Sequence, residues 1–253
     1  MQTAYSVGRP VSWFARVLLF VAALSWAGVG AASEAGTGQF NELTAAEKAA
    51  GWKLLFDGKT TAGWHSYKKT SFPEKGWVVE DGCLKHTASG GGGDIITSET
   101  FDSFELRFQW RIAPGANSGL KYLVPEDRSS ALGHEYQLID DQTLSATARG
   151  GKGSTGSFYD VLAPTTAAKP NPPGQFNDSR ILLQGNHVEH WLNGTKILEY
   201  ELGSDAVKAA VKASKFREVA GFGSSLRGHI LLQDHGGEAC FRGLKLRPLP
   251  EGK

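Results

Sequence analysis

Short runs of alternating apolar and polar residues dominate the chain after Trp52. In the longest run, 104–112, every second side chain is aromatic or aliphatic and those between are charged or amides. This period of two predicts a β-strand with one buried and one polar face. Nine further runs between turn-forming residues have strand character, at the spacing typical of a β-sandwich: 77–84, 94–98, 118–124, 135–139, 180–184, 187–192, 196–201, 229–233 and 241–246.

Two segments have helical character. Thr44 and Glu47 have the spacing of a capping box, in which each side chain accepts a hydrogen bond from a backbone N–H, and Gly51 predicts the end of this first helix. The second helix is predicted over 205–216, where Ser204 can cap the N-terminus and apolar residues recur at helical spacing.

The connections divide into tight turns and long loops. Asn193-Gly194 separates two predicted strands and is typical of a type I′ hairpin turn. The stretches 145–157 and 163–177 have neither the alternating pattern of a strand nor the spacing of a helix. Loops of this length in a compact domain are often functional. Because the chain has no internal repeat and no linker, we predict one domain over about 38–250.

The composition agrees with an all-β fold. The 253 residues include 32 Gly, seven Trp and 13 Phe but one Met, which favours turn-rich, aromatic-packed sheets over a helical bundle. The formal net charge is +1 without a basic block, so nucleic acid is not an expected partner. We predict an all-β sandwich of two stacked sheets with two short helices.

The N-terminus has the features of a secretory signal. Arg9 and Arg16 precede an apolar run over 17–27, and small residues follow as far as Ala32. We expect cleavage after Ala32, so that 1–32 is a signal peptide and the mature protein is periplasmic or secreted. The apolar run is too short to span a bilayer comfortably, so stable membrane insertion is not expected after cleavage.

The two cysteines, Cys83 and Cys240, allow a single intramolecular disulfide in an exported chain. Both lie in apolar strand contexts, where a free cysteine behaves as a small hydrophobic side chain. The pattern therefore favours two free thiols, with the disulfide as the alternative.

Polar side chains on two strand faces are the candidate chemistry. Glu135 and Gln137 share one face of a predicted strand, and Gln233 and His235 fall together near another. A solvated outer face is the simpler interpretation for either strand alone. Sugar-binding sandwiches use such faces, because amides and carboxylates match hydroxyl groups and aromatic rings cover the apolar face of a sugar.

Other motifs do not support a site. The Gly-Gly-Lys-Gly-Ser run at 150–154 lacks P-loop spacing, so no nucleotide cofactor is expected. On a strand, His187 and Glu189 would point one way and His190 the other, which excludes a metal site shared by all three. No Ser lies in a nucleophile elbow.

Seven sequence blocks follow one another in an order that is more specific than any block alone. They are Leu-Phe-Asp-Gly-Lys at 55–59 with Gly-Trp at 63–64, Trp-Val-Val-Glu-Asp-Gly at 77–82, Asn-Ser-Gly-Leu-Lys-Tyr at 117–122, Glu-Tyr-Gln-Leu-Ile-Asp at 135–140, Thr-Gly-Ser-Phe-Tyr-Asp at 155–160, His-Trp-Leu-Asn-Gly at 190–194, and Leu-Gln-Asp-His-Gly at 232–236 before Phe-Arg at 241–242. In this order the blocks resemble the 3-keto-disaccharide hydrolase domain family, over about 52–247. One departure is Gly243, where the family commonly has Asn.

The resemblance implies a concanavalin-like β-sandwich or jelly roll that hydrolyses 3-keto-glycosides, including 3-keto-disaccharides. A C3 ketone acidifies the C2 proton, so a base can remove it, the C1 substituent can leave by elimination, and water can then add. The route needs a base, a proton donor for the leaving oxygen, and positive charge or hydrogen bonds at the enediolate oxygen. The implied functional partner is a sugar 3-oxidoreductase that makes the ketone.

Residues in the matching blocks are then candidates for each role. Glu135 is the candidate base, His235 the proton shuttle, and Lys121 the group that stabilises the enolate oxygen. A divalent metal ion is the one cofactor this chemistry suggests, with Glu135, His235 and Asp140 as candidate ligands, although no spacing establishes it. Four side chains are predicted to hold substrate hydroxyl groups: Asn117, Gln137, Gln233 and Tyr159.

Two other functions stay open. A lectin-like, non-catalytic carbohydrate-binding module would bind glycans without cleaving them, and the fold alone does not distinguish it from an enzyme. An ordinary glycosidase would use two carboxylates on the unoxidised glycoside, and ranks below both.

Overall fold

A computed structural model describes residues 40–143 and 148–250 of the chain. The predicted signal peptide, 1–32, lies outside these residues, and the domain limits of 38–250 stay a prediction. The helical elements are α1 Ala45–Ala49, α2 Asp205–Lys212 and a 3-10 turn at Ala148–Gly151. The strands in this part of the chain are β1 Lys53–Leu54, β2 Trp64–Ser66, β3 Trp77–Glu80, β4 Cys83–His86, β5 Ile95–Thr97, β6 Phe104–Ile112, β7 Asn117–Val124, β8 His134–Ile139, β9 Asn177–Gln184, β10 His187–Leu192, β11 Thr195–Glu201, β12 His229–Leu232 and β13 Ala239–Pro248.

The strands form two antiparallel sheets. The larger has the order β11-β10-β9-β6-β13-β4-β3, with β1 also paired to β13, and the smaller has the order β2-β5-β12-β7-β8. Strands that are distant in the sequence are therefore neighbours in both sheets, as in a jelly roll. The prediction of an all-β sandwich with two short helices is confirmed.

The core lies between the two sheets. Along β6 every apolar side chain of the alternating pattern is buried, which confirms the face assigned from the sequence. Each buried aliphatic or aromatic side chain of this size contributes about 1.5–3 kcal/mol relative to an exposed one. The smaller sheet supplies the opposite wall of the core, with fully buried side chains from three strands: Leu120, Tyr122, Tyr136, Leu138, Ile230 and Leu232.

The helix caps form as predicted, but the second helix is shorter. The side chain of Thr44 accepts from the backbone N–H of Glu47, and Glu47 accepts from the backbone N–H of Thr44, which completes the capping box. Ser204 caps α2, which ends at Lys212 rather than at residue 216. Within the described residues no helix has the length and apolar character to cross a membrane.

The predicted strand at 77–84 is in fact a hairpin. Strands β3 and β4 pair through a turn at Asp81 and Gly82, whose φ angles of 50° and 70° are both positive. An Asp-Gly pair is a strong type I′ turn signal. Because apolar residues flank the turn on both sides, the sequence pattern predicts one continuous strand over 77–84.

Cys83 and Cys240 form a disulfide, so the preference for free thiols is wrong. The two residues lie on neighbouring strands, β4 and β13, with their Cα atoms 5.7 Å apart. Both residues are buried, which explains their apolar context, and the pairing of β4 with β13 brings the sulfur atoms together.

Removing this disulfide should destabilise the fold. The bond joins residues 157 positions apart, so it restricts the unfolded chain strongly, and we expect the Cys83→Ser/Cys240→Ser double variant to lose about 2–4 kcal/mol. Urea unfolding of both proteins, with and without reductant, measures this loss. Reductant should bring the parent protein to the stability of the double variant, and equal stabilities throughout would contradict the assignment.

Candidate functional site

A polar pocket lies on the face of the smaller sheet that points away from the core. Strands β7 and β8 form its floor, and the segments after β12 and after α2 form its walls. It is lined by Asn117, Lys121, Leu132, Gly133, Glu135, Gln137, Tyr159, Lys215, Phe216, Gln233 and His235. All seven residues predicted as catalytic or substrate-binding are among these, although they come from four separate segments of the chain.

The pairing of β7 with β8 explains how the floor is built. Lys121 lies opposite Glu135, and Gly119 lies opposite Gln137, so alternate residues of both strands share the pocket face. The exposed fractions of Glu135 and Gln137 are only 5% and 1%. The interpretation of this face as a solvated surface therefore does not hold.

Glu135 is a buried carboxylic acid. Burial raises its pKa, and Asp94 adds to the rise, while the ammonium groups of Lys121 and Lys215 oppose it. The amide nitrogen of Gln137 donates to Glu135 Oε1 at 2.9 Å in the orientation that satisfies both groups. A carboxylate with a raised pKa is a stronger base than a free glutamate, as proton abstraction from carbon requires.

Gly119 makes room for this carboxylate. A Cβ atom on Gly119 would lie 2.5 Å from Glu135 Oε1 and 3.0 Å from the carboxyl carbon. Glycine is therefore needed at this position, because the side chain of Glu135 lies in the space that a larger residue at 119 would fill.

Lys121 is anchored at the floor. Its Nζ donates to the carbonyl oxygen of Ala131 at 3.2 Å and lies 3.5 Å from Asp94 Oδ2. Asp94 in turn accepts from the backbone N–H of Asp234 through its other oxygen. The loop between β7 and β8 is thereby linked to the start of β5 beneath the pocket.

The residues after β12 form the second wall. The backbone N–H of Gln233 donates to the carbonyl of Gly119 at 3.0 Å and extends the ladder one residue past the strand end. Its side-chain Oε1 is buried and has no hydrogen-bond partner in the part of the chain that the structure describes. A buried acceptor without a donor is costly, and a ligand hydroxyl group would satisfy it. His235 is exposed at the mouth.

Lys215 is the charged pocket residue that the sequence pattern did not identify. The sequence has no Gly or Pro to mark the end of α2, so Lys215 is indistinguishable from the surface lysines of a helix over 205–216. Just after the helix, Ser214 Oγ donates to the carbonyl of Val211 at 2.8 Å and accepts from the backbone N–H of Phe216 at 3.0 Å, so that N–H has a side-chain partner in place of a helical one. Lys215 then leaves the helical path, and its Nζ lies 4.3 Å from the centre of the Tyr159 ring.

Asp140 does not join the other two candidate metal ligands. Its carboxylate accepts from the backbone N–H groups of Gly115 and Gln142, and it lines a separate cavity of about 510 Å³ with the loop at 168–177. Of the three candidate ligands, Glu135 and His235 line the pocket. The ammonium groups of Lys121 and Lys215 act on the Glu135 carboxylate, and their positive charge opposes the binding of a divalent cation there.

The histidines of β10 behave as the strand pattern predicts. His190 points into the core, where its ring nitrogens lie 2.9 Å from the Tyr122 hydroxyl and 2.8 Å from the carbonyl oxygen of Gly156. Burial lowers the pKa of His190 to about 4. His187 and Glu189 share the outer face, where Lys196 Nζ donates to the Glu189 carboxylate at 3.1 Å, as part of an ion-pair network.

The burial of Glu135 gives a prediction for stability. Because the pKa of Glu135 is raised, its ionisation is less favourable in the folded state than in the unfolded chain, and stability is lost as the pH rises through the folded pKa. Glu135→Gln removes this loss. The melting temperature of the variant, relative to the parent, should therefore be higher at pH 8 than at pH 4.5.

The control for this comparison is Glu218→Gln, which alters an exposed carboxylate whose partner, Arg217, keeps its charge over this pH range. Its melting-temperature difference should not increase with pH as that of Glu135→Gln does. A Glu135→Gln variant that is destabilised more at pH 8 than at pH 4.5 would contradict the buried, raised-pKa carboxylate.

Substituting Gly119→Ala tests the steric argument. The added methyl group must displace the Glu135 carboxylate, which lies closer than any van der Waals contact allows. Misplacement of a catalytic group by about 1 Å costs roughly 10²-fold in rate, so activity should fall on that order while far-ultraviolet circular dichroism stays unchanged. Full activity would mean that the carboxylate position is not needed.

Known proteins match the chain over most of its length. A family model described as a 3-keto-alpha-glucoside-1,2-lyase-like domain matches residues 51–247. A 3-keto-disaccharide hydrolase of Bacteroides thetaiotaomicron is 33% identical over 231 residues, which cover 79% of either chain. The crystal structure of a candidate glycosyl hydrolase from Parabacteroides distasonis has a TM-score of 0.73 at 33% identity, covering 83% of this chain and 99% of that one. A second candidate glycosyl hydrolase from the same organism, at 24% identity and a TM-score of 0.62, covers 78% of this chain and 99% of its own and supports the fold.

Proposed function

Because the chain belongs to the 3-keto-alpha-glucoside-1,2-lyase-like domain family, we propose that it is a glycoside hydrolase-type enzyme that cleaves 3-keto-glycosides. The observation that carries the proposal is the pocket itself, where a buried carboxylic acid with a raised pKa meets two lysines and several amides. A base next to positive charge is what removal of a proton beside a ketone requires.

Glu135 acts as the base. Its carboxylate removes the C2 proton of the oxidised sugar, and the electron pair moves onto the ketone oxygen to give an enediolate. Its raised pKa brings the carboxylate closer in basicity to the acidified carbon, which lowers the barrier to transfer. The lysines of the pocket, Lys121 and Lys215, supply the positive charge.

Elimination and hydration complete the cleavage. The enediolate expels the C1 substituent, and His235 at the mouth of the pocket gives a proton to the leaving oxygen. Water then adds across the new double bond. His235 exchanges protons with solvent because it is exposed, so it can act again in the next turnover.

Hydrogen-bonding side chains orient the sugar. The buried Gln233 Oε1 accepts from a hydroxyl group, while the side chains of Asn117 and Gln137 lie at the floor and Tyr159 at the wall. A non-catalytic binding module is the less favoured function. A carboxylate accepts hydrogen bonds from sugar hydroxyl groups without a raised pKa, so the burial of Glu135, which costs stability as the pH rises, has no role in binding alone.

We also propose that the protein works outside the cytoplasm, after cleavage behind Ala32. The Cys83–Cys240 disulfide supports this location, because such bonds persist in oxidising compartments. A sugar 3-oxidoreductase would then supply the ketone substrate.

Turnover in deuterated water tests the reaction. The purified protein should cleave 3-keto-trehalose and leave trehalose intact, and the released 3-keto sugar should carry deuterium at C2, because that carbon is reprotonated from solvent. Glu135→Gln should lower the rate by roughly 10²–10⁴-fold. Nuclear magnetic resonance of the products measures the cleavage, the deuterium at C2 and the rate.

The free 3-keto sugar, incubated without enzyme, controls for spontaneous exchange. Cleavage of trehalose without deuterium at C2 would indicate an ordinary glycosidase. Sugar binding without any cleavage would indicate a lectin-like module.

A further inference from the structure

The pocket contains two lysines whose surroundings differ. We infer that Lys215 is the catalytic cation that holds the ketone oxygen of the substrate, and that Lys121 is a positioning residue for the base. This inference rests on the proposed function, which requires positive charge at that oxygen but does not say which lysine provides it.

Lys121 is held by the protein. It is only 7% exposed, and two of its three N–H groups point at the carbonyl of Ala131 and the carboxylate of Asp94. Its backbone lies directly opposite Glu135 in the β7–β8 ladder. These bonds fix the ammonium group beside the β7–β8 loop, so Lys121 acts as a fixed positive charge that lowers the pKa of Glu135.

The backbone of Lys215 is fixed, and its side chain faces the pocket. Its N–H donates to Asp160 Oδ2 at 2.7 Å, and the next residue, Phe216, is buried and stacks on Phe222 with ring centres 4.1 Å apart. Asp160 itself has a φ of 63°, in the left-handed region that asparagine and aspartate enter more readily than other non-glycine residues.

Tyr159 connects this lysine to the base. Its backbone N–H donates to the carbonyl of Glu135 at 3.1 Å, which places the two residues side by side. The ammonium group of Lys215 lies over the Tyr159 ring, 4.3 Å from its centre, and acts electrostatically on the Glu135 carboxylate. Base and cation therefore face one space, with Glu135 on the floor and Lys215 on the wall.

This arrangement provides for both parts of the enolisation step, which are proton removal at C2 and stabilisation of negative charge on the C3 oxygen. The C2–H bond breaks and its proton passes to Glu135, while the electron pair forms the C2–C3 double bond and the C3 oxygen becomes negative beside Lys215. When the C3 carbonyl re-forms, the pair shifts to a C1–C2 double bond, the C1–O bond breaks, and the leaving oxygen takes a proton. Charge at C3 exists only during this sequence, so a cation there accelerates the chemical step.

Kinetics of three variants test the assignment. Lys215→Met should lower kcat on 3-keto-trehalose by roughly 10²–10³-fold with a smaller change in KM, and Lys215→Arg should recover part of the rate. Lys212→Met, in the exposed last turn of α2, should behave as the parent protein. Equal melting temperatures would show that Lys215→Met folds normally.

The pH profile separates this role from a purely structural one. Lys215 lowers the pKa of Glu135, so its removal should move the acidic limb of the kcat/KM profile to higher pH. Carbon-13 labelling of glutamate lets the titration of Glu135 be followed directly, with Glu135→Gln to assign the signal. The midpoint should rise in Lys215→Met and stay in place in Lys212→Met.

The outcomes distinguish the inference from the proposed function. If the parent protein cleaves 3-keto-trehalose and Lys215→Met keeps its kcat within about threefold, the inference is overturned and the function stands. If the parent protein cleaves no 3-keto-glycoside, the proposed function fails. The inference, which rests on that function, then fails with it, so the kinetics of a parent protein that turns over the substrate are what separate the two.

Discussion

The pocket depends on Glu135, a carboxylic acid whose side chain is buried away from water. Glu105 and Glu135 have similar exposed fractions, 4% and 5%, yet their pKa values shift in opposite directions. Burial alone would raise the pKa of Glu105, but this glutamate lies less deep than Glu135. Hydrogen bonds from Arg107 and Arg247 make the net shift downward. Around Glu135, the rise in pKa caused by burial exceeds the lowering caused by the two lysines. The arginines therefore keep Glu105 a weaker base, and Glu135 is the stronger one.

Rigid strands hold this acid in position. On the core side of β8, the Tyr136 hydroxyl donates to the carbonyl of Trp191 and accepts from Ser179 Oγ. A slip of one residue in the pairing of β7 and β8 would exchange the core and pocket faces, so the buried aromatic residues fix the register of the polar ones. The pocket side chains are thus positioned by contacts made on the opposite face of the same strands.

The period-two pattern identified four pocket residues, Glu135, Gln137, Gln233 and His235, and the family resemblance added Lys121, Asn117 and Tyr159. Glu135 and Gln137 alternate with core residues, and that alternation is a local property of the sequence. Lys215 could not be found in this way, because its place depends on where a helix stops and on a bond to the distant Asp160. The disulfide was missed for a similar reason, since only the adjacency of β4 and β13 brings the two apolar cysteine contexts together.

Two departures from ordinary local structure lie at this pocket. Asp160 has a positive φ and holds Lys215, and the Oε1 atom of Gln233 is a buried acceptor with no donor among the described residues. Gly243 also has a positive φ, of 60°, which glycine adopts without strain and which the Asn common at this family position tolerates. A positive φ alone does not mark a functional residue, because Lys68, Ser89 and Leu123 adopt it elsewhere in the described chain. The buried oxygen of Gln233 is the more specific sign of function, because Gln233 lines the pocket and a substrate hydroxyl group can supply the missing donor.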